Sequence, residues 1–469
     1  MEAVDWQAVE AAIGRLEADW TDALAEYCAI PSEGGHADEL ERAAEWTKER
    51  LERIGATTRM VRVDGAPPLV VGEIGPADAP VLNLVQHYDV QPAGDHSEWQ
   101  TAPYAPEVRD GRLFARGATD NKGEVLARMW ALDALAAAGV ELPCRVRFLV
   151  EGEEETGSEH LDALLDMDPD LRRADAALGE GGGVDEQGRP IVDCGVRGIL
   201  MAELSVRTLT KEVHSSAATL FPNAAARMAA ALATLVGPDG GPTWSGLQTG
   251  RLPLTDAARD TARSQPLEWL EDYRTQFGVS RFVGGVDGPD ALEADLANPT
   301  LNIQGLWSGE TGPVSRNVVP AEAKARLDIR LVPDQDPDAI RGALREHLDA
   351  SGFEDVLIAR IEAAEHPYWS DLTDPFVDAA AAAVEAAFGQ PAIRSQSMSG
   401  TAPMHQVCAA HQVPMVFIGG ADLHAHAHAP DESYDLATGA RAALAFLRLL
   451  DSFSRLPRRI SHREVAGTE

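Results

Sequence analysis

Lysine is scarce in this chain of 469 residues: Lys48, Lys122, Lys211 and Lys324 stand against 75 acidic residues, and the formal net charge is −35. Nucleic-acid backbones and anionic lipid surfaces are bound by clustered Lys and Arg, so this balance argues against both as partners. Cysteine is as rare. Cys28, Cys144, Cys194 and Cys408 are scattered without metal-ligand spacing, and Cys144 and Cys194 sit in apolar, strand-like runs where a buried free thiol is expected. No run of about 18 apolar residues occurs. The opening MEAVDWQAVEAA lacks the basic and apolar regions of a secretory leader, so a cytoplasmic protein is expected. A nucleophilic hydrolase is disfavoured, because there is no G-x-S-x-G elbow and no cysteine in a reactive setting. Gly179-x-Gly181-Gly182-Gly183 lacks dinucleotide-binding spacing, and Glu180 would repel a phosphate. No internal repeat or heptad is present.

What is there centres on VRFLVEGEEETGS, residues 146–158. Val146 to Val150 reads as a buried strand, broken at Gly152 into three successive carboxylates, Glu153, Glu154 and Glu155. Three acids at the C-terminal end of a core strand repel one another unless a cation or proton compensates them. That end of a strand is where open α/β sheets carry their chemistry.

The flanking chain has α/β rhythm. Helical spacing covers Trp6 to Ala29 and Ala37 to Ile54, strand-like runs cover Thr58 to Val63, Leu69 to Glu73 and Val81 to Val85, and a helix opens after Asp120. Ala174 to Leu178 reads as a further strand. Strands alternating with helices imply a mixed, largely parallel sheet with helices on both faces. Near Gly198 the pattern changes to strand–helix–strand units without such punctuation. Strands are expected at Leu200 to Val206, Leu301 to Trp307, Ala323 to Val332 and Val356 to Ala363. Helices are expected at Pro222 to Leu235 and Pro337 to Leu348, with one more, Leu254 to Tyr273, in the polar connection 236–300. The rhythm returns near Pro367. The length suits two domains, and the expected division is a catalytic domain in two parts, 1–199 and 367–469, split by an inserted α+β domain, 200–366.

Histidines and carboxylates collect at the strand ends: His87 and Asp89, Asp120, Glu154 and Glu155, Glu180, and the alternating His424, His426 and His428. Singly each has an ordinary explanation. Asp120 would make a good helix N-cap, and the alternating histidines could be a surface tract. Together, imidazole and carboxylate groups without thiolates suit a catalytic zinc, manganese or cobalt site, and a carboxylate bridging two cations would neutralise the acidic crowd.

With HYDVQP, RGATDNKG, EGEEETGS, GEGGG, NVVP, LDIRLVP, SGTAPM and HAPDE on the page, the chain resembles a family of dinuclear zinc peptidases and amidohydrolases. That family includes carnosinase-type dipeptidases, aminoacylase, acetylornithine deacetylase and glutamate carboxypeptidases, and the resemblance covers nearly the whole length. LNIQGLW and NVVPAEAKARLDIRLVPDQDP look most like the dipeptidase branch.

The resemblance implies two divalent ions, zinc first and manganese or cobalt otherwise. His87, Asp120 and Glu180 would hold one and Asp120, Glu155 and His428 the other. It implies Asp89 as the partner that fixes the His87 ring, and Glu154 as the base that takes a proton from the attacking water. His214, Asn317 and Arg330 would hold the scissile carbonyl oxygen and the substrate carboxylate, with His214 the donor to the oxygen and Arg330 the fork for the carboxylate, and Gly400 and Thr401 would contact that carboxylate. The activity implied is amide hydrolysis in a small peptide, with an N-acyl-amino-acid deacylase as the alternative. A metal-binding, catalytically silent scaffold is the reading from another class. A homodimer through the inserted domain, with His214 reaching the partner's site, is implied as well.

Overall fold

The computed structural model describes residues 4–310, 312 and 315–459. In chain order its first part carries α1 (Trp6–Cys28), α2 (Ala37–Arg53), β1 (Thr57–Val61), β2 (Leu69–Ile74), β3 (Val81–His87), α3 (Lys122–Ala137), β4 (Arg145–Glu151), α4 (Leu161–Asp166) and β5 (Ala176–Leu178). Next come β6 (Gly198–Arg207), α5 (Ala224–Leu232), α6 (Asp256–Arg263), α7 (Glu268–Phe277), α8 (Gly288–Ala297), β7 (Asn302–Ser308), β8 (Glu322–Leu331), α9 (Pro337–Ala350) and β9 (Val356–Glu365). The last part carries α10 (Pro375–Phe388), α11 (Met404–Cys408), β10 (Met415–Val416) and α12 (Leu436–Phe453). No helix among the described residues is long and apolar enough to cross a membrane.

The chain forms two compact units. One comprises 1–195, 369–398 and 402–469, and the other 196–368 with 399–401. In the first, a six-stranded sheet runs β1-β2-β4-β3-β5-β10. β1 and β2 enter antiparallel, whereas β4, β3, β5 and β10 are mutually parallel. Every residue of β3 is buried, which requires cover on both faces of the sheet. The core joins these strands to α1, α2, α3, α10 and α12, with Trp20 stacked on Trp130 at 4.5 Å between ring centroids.

The second unit is a four-stranded antiparallel sheet, β7-β8-β6-β9. Its strands alternate: Ala323, Ala325, Leu327, Ile329 and Leu331 of β8 are buried and join α5 and α9 in a separate core. The connection expected to hold one helix over Leu254 to Tyr273 holds three. Pro266 cannot donate an interior helical bond, so α6 ends at Arg263 and α7 begins at Glu268. α8 follows, started by Asp287, whose carboxylate accepts from the Gly288 N–H.

Candidate metal centre

Because β3, β4 and β5 are parallel, the loops leaving their C-terminal ends lie together. Leu84 pairs with Leu178 and His87 with Glu151. His87, fully buried, is the last residue of β3. Its Nδ1 is 3.0 Å from the Asp89 carbonyl oxygen and 3.3 Å from Asp89 Oδ1. Its Nε2 faces Asp120 Oδ1 at 3.1 Å and Glu180 Oε2 at 3.4 Å. With Nδ1–H donated to Asp89, a neutral ring aims a lone pair at two carboxylates, so a proton or a cation belongs between them.

Asp89 does a second job that its sequence position did not announce. Its buried carboxylate accepts from the Glu154 N–H at 3.3 Å and from the Glu155 N–H at 3.0 Å, so it holds the acidic turn as well as the ring. In that turn Glu155 receives Gln91, through the backbone N–H at 3.1 Å and the side-chain amide at 2.9 Å. Glu153 points elsewhere and is taken by His160 Nδ1 at 2.9 Å.

Asp120 is not an N-cap. Asn121 occupies that position of α3 and makes no capping bond with its side chain. Asp120 instead offers Oδ1 to His87 and Oδ2, at 2.9 Å, to His428 Nε2. His428 also lies 3.2 Å from Glu155 Oε2. Among His424, His426 and His428, the last is the one that touches these carboxylates. The loop of Glu180 is set by Gly182, at φ +87°, where a Cβ would lie 2.7 Å from the backbone of Ile418 and Gly419 after β10.

Four carboxylates and two imidazoles thus converge, and their protonation shows the strain. Burial, followed by the Glu180 charge, pushes Glu154 well up, and burial pushes Glu180 up to about 8 against the pull of His87. Hydrogen bonds to Asp120 and Glu155 raise His428 to about 10. Burial works against the charged forms of Asp120 and His87. The two histidines nonetheless hold Asp120 below the usual carboxylate range, and Glu180, Asp120 and Asp89 raise His87. Protons neutralise this crowd in the metal-free fold. Divalent cations fit the same place, because the donors are all oxygen and imidazole nitrogen. Two groupings offer ligand atoms within 4.8 Å of one another: His87 with Asp120 and Glu155, and His87 with Glu154 and Glu180.

A family model for peptidases of the M20/M25/M40 family matches residues 84–452. The chain belongs to that family. It is a metal-dependent peptidase, and the sheet expected from the sequence is the sheet found. Among curated relatives, the human Beta-Ala-His dipeptidase is 28% identical over 435 residues, covering 87% of this chain and 85% of its own. The cysteinylglycine-S-conjugate dipeptidase of Corynebacterium striatum is 29% identical, covering 90% and 91%. Among solved structures, an M20 metallo-carboxypeptidase from Sulfolobus solfataricus superposes with a TM-score of 0.85 at 31% identity, over 92% of this chain and 98% of that one.

The remaining expected site residues lie in the second unit, in two separate groups. Val213–His214 pairs antiparallel with Val318–Val319, and the Ser215 N–H reaches the Asn317 carbonyl at 2.9 Å, so His214 and Asn317 are neighbours. The exposed His214 ring accepts at Nδ1 from the Ser216 N–H at 3.2 Å, which leaves Nε2–H as an outward donor. The second group joins Arg330 Nη1 to Thr401 Oγ1 at 2.9 Å, with the Gly400 carbonyl taking the Arg197 N–H at 3.0 Å.

Sequence reasoning missed Glu432, fully buried, which binds the loop that carries Asp120. The signal was its place in HAPDE, where His428 drew the attention.

Proposed function

We propose that this peptidase is a dipeptidase that uses two divalent ions, zinc first, held by His87, Asp120 and Glu180 and by Asp120, Glu155 and His428. The observation that carries this is the pair of oxygens of Asp120, one facing each histidine. Such ions supply Lewis acidity toward a carbonyl oxygen and make water a nucleophile near neutral pH. Asp89 holds the His87 ring in register and, through two N–H bonds, aims the turn of Glu154. Glu154, as the carboxylate, takes the proton of the attacking water and passes it to the leaving nitrogen. His214 donates Nε2–H to the carbonyl oxygen beside Asn317. Arg330, braced by Thr401 beside Gly400, presents a planar fork to the terminal carboxylate of the substrate.

The spacing inside the second unit bears on assembly. His214 pairs beside the entrance to β8 and Arg330 lies near its exit, and the eight steps from Glu322 to Arg330 span roughly 26 Å. A dipeptide is far shorter, which speaks against His214 and Arg330 of one chain holding the two ends of one substrate. That favours a homodimer through the inserted domain, with His214 and Asn317 lent to the partner's site. The four free, buried cysteines fit a reducing compartment, and we place the enzyme in the cytoplasm.

A carboxypeptidase acting on longer peptides is the second reading, favoured by the likeness to the Sulfolobus enzyme. An N-acyl-amino-acid deacylase is the third. Release of free amino acid from dipeptides, longer peptides and acetylated amino acids, with zinc, manganese or cobalt added, separates the three. Turnover confined to acetylated amino acids would replace the dipeptidase reading.

A further inference from the structure

We infer that Glu432 is a positioning residue that sets Asp120 against His428 and thereby the affinity of the site for its metal ions. The inference rests on the two-metal reading above. Glu432 Oε1 accepts the backbone N–H groups of Thr119 at 2.9 Å and Asp120 at 3.1 Å. Its Oε2 accepts the Gly117 N–H at 2.9 Å and Arg116 Nη1 at 2.6 Å, and its own carbonyl takes the Ala115 N–H at 3.0 Å. Five donors from residues 115–120 thus converge on one residue that is fully buried. Successive backbone N–H groups turned inward form an anion-binding concavity, and here the anion is supplied by the chain itself.

The other end of the link is His428, four residues earlier. The loop between them is closed at its base, where the Ser433 N–H donates to the Ala425 carbonyl at 2.8 Å. It turns through positive φ at His426, His428 and Asp431, at +54°, +63° and +60°. Arg112 braces the same base, reaching Asp422 with two nitrogens at 2.6 and 3.0 Å and Ser433 Oγ at 3.0 Å. Glu432 is therefore the point where the loop of His428 grips the loop of Asp120. Gly117 permits the grip: at φ +80°, a Cβ there would lie 2.5 Å from Val90.

An amide cannot replace this carboxylate. In Glu432→Gln the side-chain oxygen can serve Thr119 and Asp120, but the NH2 then faces the Gly117 N–H and the Arg116 guanidinium, donor against donor. The Asp120 loop is left held on one side only. Partners of metal ligands that orient them contribute about 10- to 100-fold in metal affinity.

The test is zinc affinity by chelator competition on full-length protein, read with the zinc concentration giving half-maximal dipeptide turnover and the melting temperature of the metal-free protein. E432Q is expected to bind zinc at least about tenfold more weakly, and excess zinc should recover most of kcat with KM unchanged. Glu124→Gln is the control. It removes an equally buried carboxylate that holds the Gly420 N–H at 2.6 Å and the Tyr434 hydroxyl at 2.9 Å and pairs with Arg128, with no hydrogen bond to residues 115–120. It should lower the melting temperature and leave zinc affinity as in wild type. Unchanged affinity in E432Q, or equal losses in E432Q and E124Q, would overturn the inference. Should E432Q fail to fold, Glu432→Asp, which keeps the charge and retracts it by one methylene, decides: weaker zinc binding supports the role and wild-type binding overturns it. A wild-type chain that binds no zinc would sink the two-metal reading instead.

Discussion

His160 holds Glu153: Nδ1 lies 2.9 Å and the backbone N–H 3.3 Å from Glu153 Oε2. Of three successive glutamates this removes one from the cluster and leaves Glu154 and Glu155 facing it.

The three should therefore separate cleanly on mutation. Glu154→Gln keeps shape and removes the proton acceptor, so kcat should fall at least about 10²-fold with metal content intact. Glu155→Gln should lose metal together with rate, and Glu153→Gln should keep both. Turnover numbers read beside elemental analysis check this. A metal-loaded but inactive E153Q would show the register to be off by one.

Removal of metal is the broader expectation. Dialysis against a chelator should abolish peptide hydrolysis, and zinc, manganese or cobalt should restore it. Asp120→Ala should strip more metal than Glu180→Ala or Glu155→Ala, because Asp120 alone is given to both ions. Full turnover by protein shown to be metal-free would end the two-metal reading.

A pH dependence follows from the proton-held crowd. In the metal-free fold Glu180 stands at about 8 and His428 at about 10, above their ordinary values of 4.5 and 6.5. Both groups thus favour the fold when protonated. Their contribution is full below the ordinary values and is lost as pH rises through 8 and then 10. The metal-free protein should therefore melt at lower temperature at pH 9 than at pH 6. Zinc must displace these protons, so its affinity should climb with pH over the same range. Calorimetry in two buffers of different ionisation enthalpy should record about one to two protons released per chain. Equal heats in both buffers would contradict the scheme.

Sharing of His214 between subunits is tested by mixing two inactive variants. A His214→Ala chain lacks what it lends, and a Glu154→Ala chain lacks its own base. Exchange should form heterodimers with one complete site, recovering at most half of wild-type activity. Native mass spectrometry verifies the exchange. Verified heterodimers without activity would place His214 in its own chain's site.

The legible parts of the molecule were those encoded locally. Periodicity gave α1, α2 and α9, and strand ends carrying His or carboxylate gave the residues that converge in the candidate metal centre. Three features escaped, one because its local pattern is weak and two because their causes are not local. α8, Gly288–Ala297, is short and amphipathic only weakly, and its start depends on the Asp287 bond to Gly288. A small sheet pairs Arg112–Phe114 with Ser433–Asp435, more than 300 positions away, and no pattern within either segment announces the other. Glu432 reads in sequence as one more acid of an acidic chain, and its role depends on the folded positions of residues 115–120. Asp120 is the opposite lesson: its N-cap reading was locally sound, and the contacts with His87 and His428 overrode it.

The parallel pairing of β5 with β10 joins Ala177 to Met415, and the insertion lies between them. During synthesis the edge of β5 therefore waits, unpaired, until more than 200 further residues have been made. Closing so long a flexible loop would be slow, and the exposed edge would invite wrong partners. The chain leaves at Gly195 and returns at Trp369, whose ring lies where a Cβ on Gly195 would be, 2.5 Å away. Once the insertion has folded, its two ends are already side by side, and the loop that β10 must close shortens from more than 200 residues to about 60.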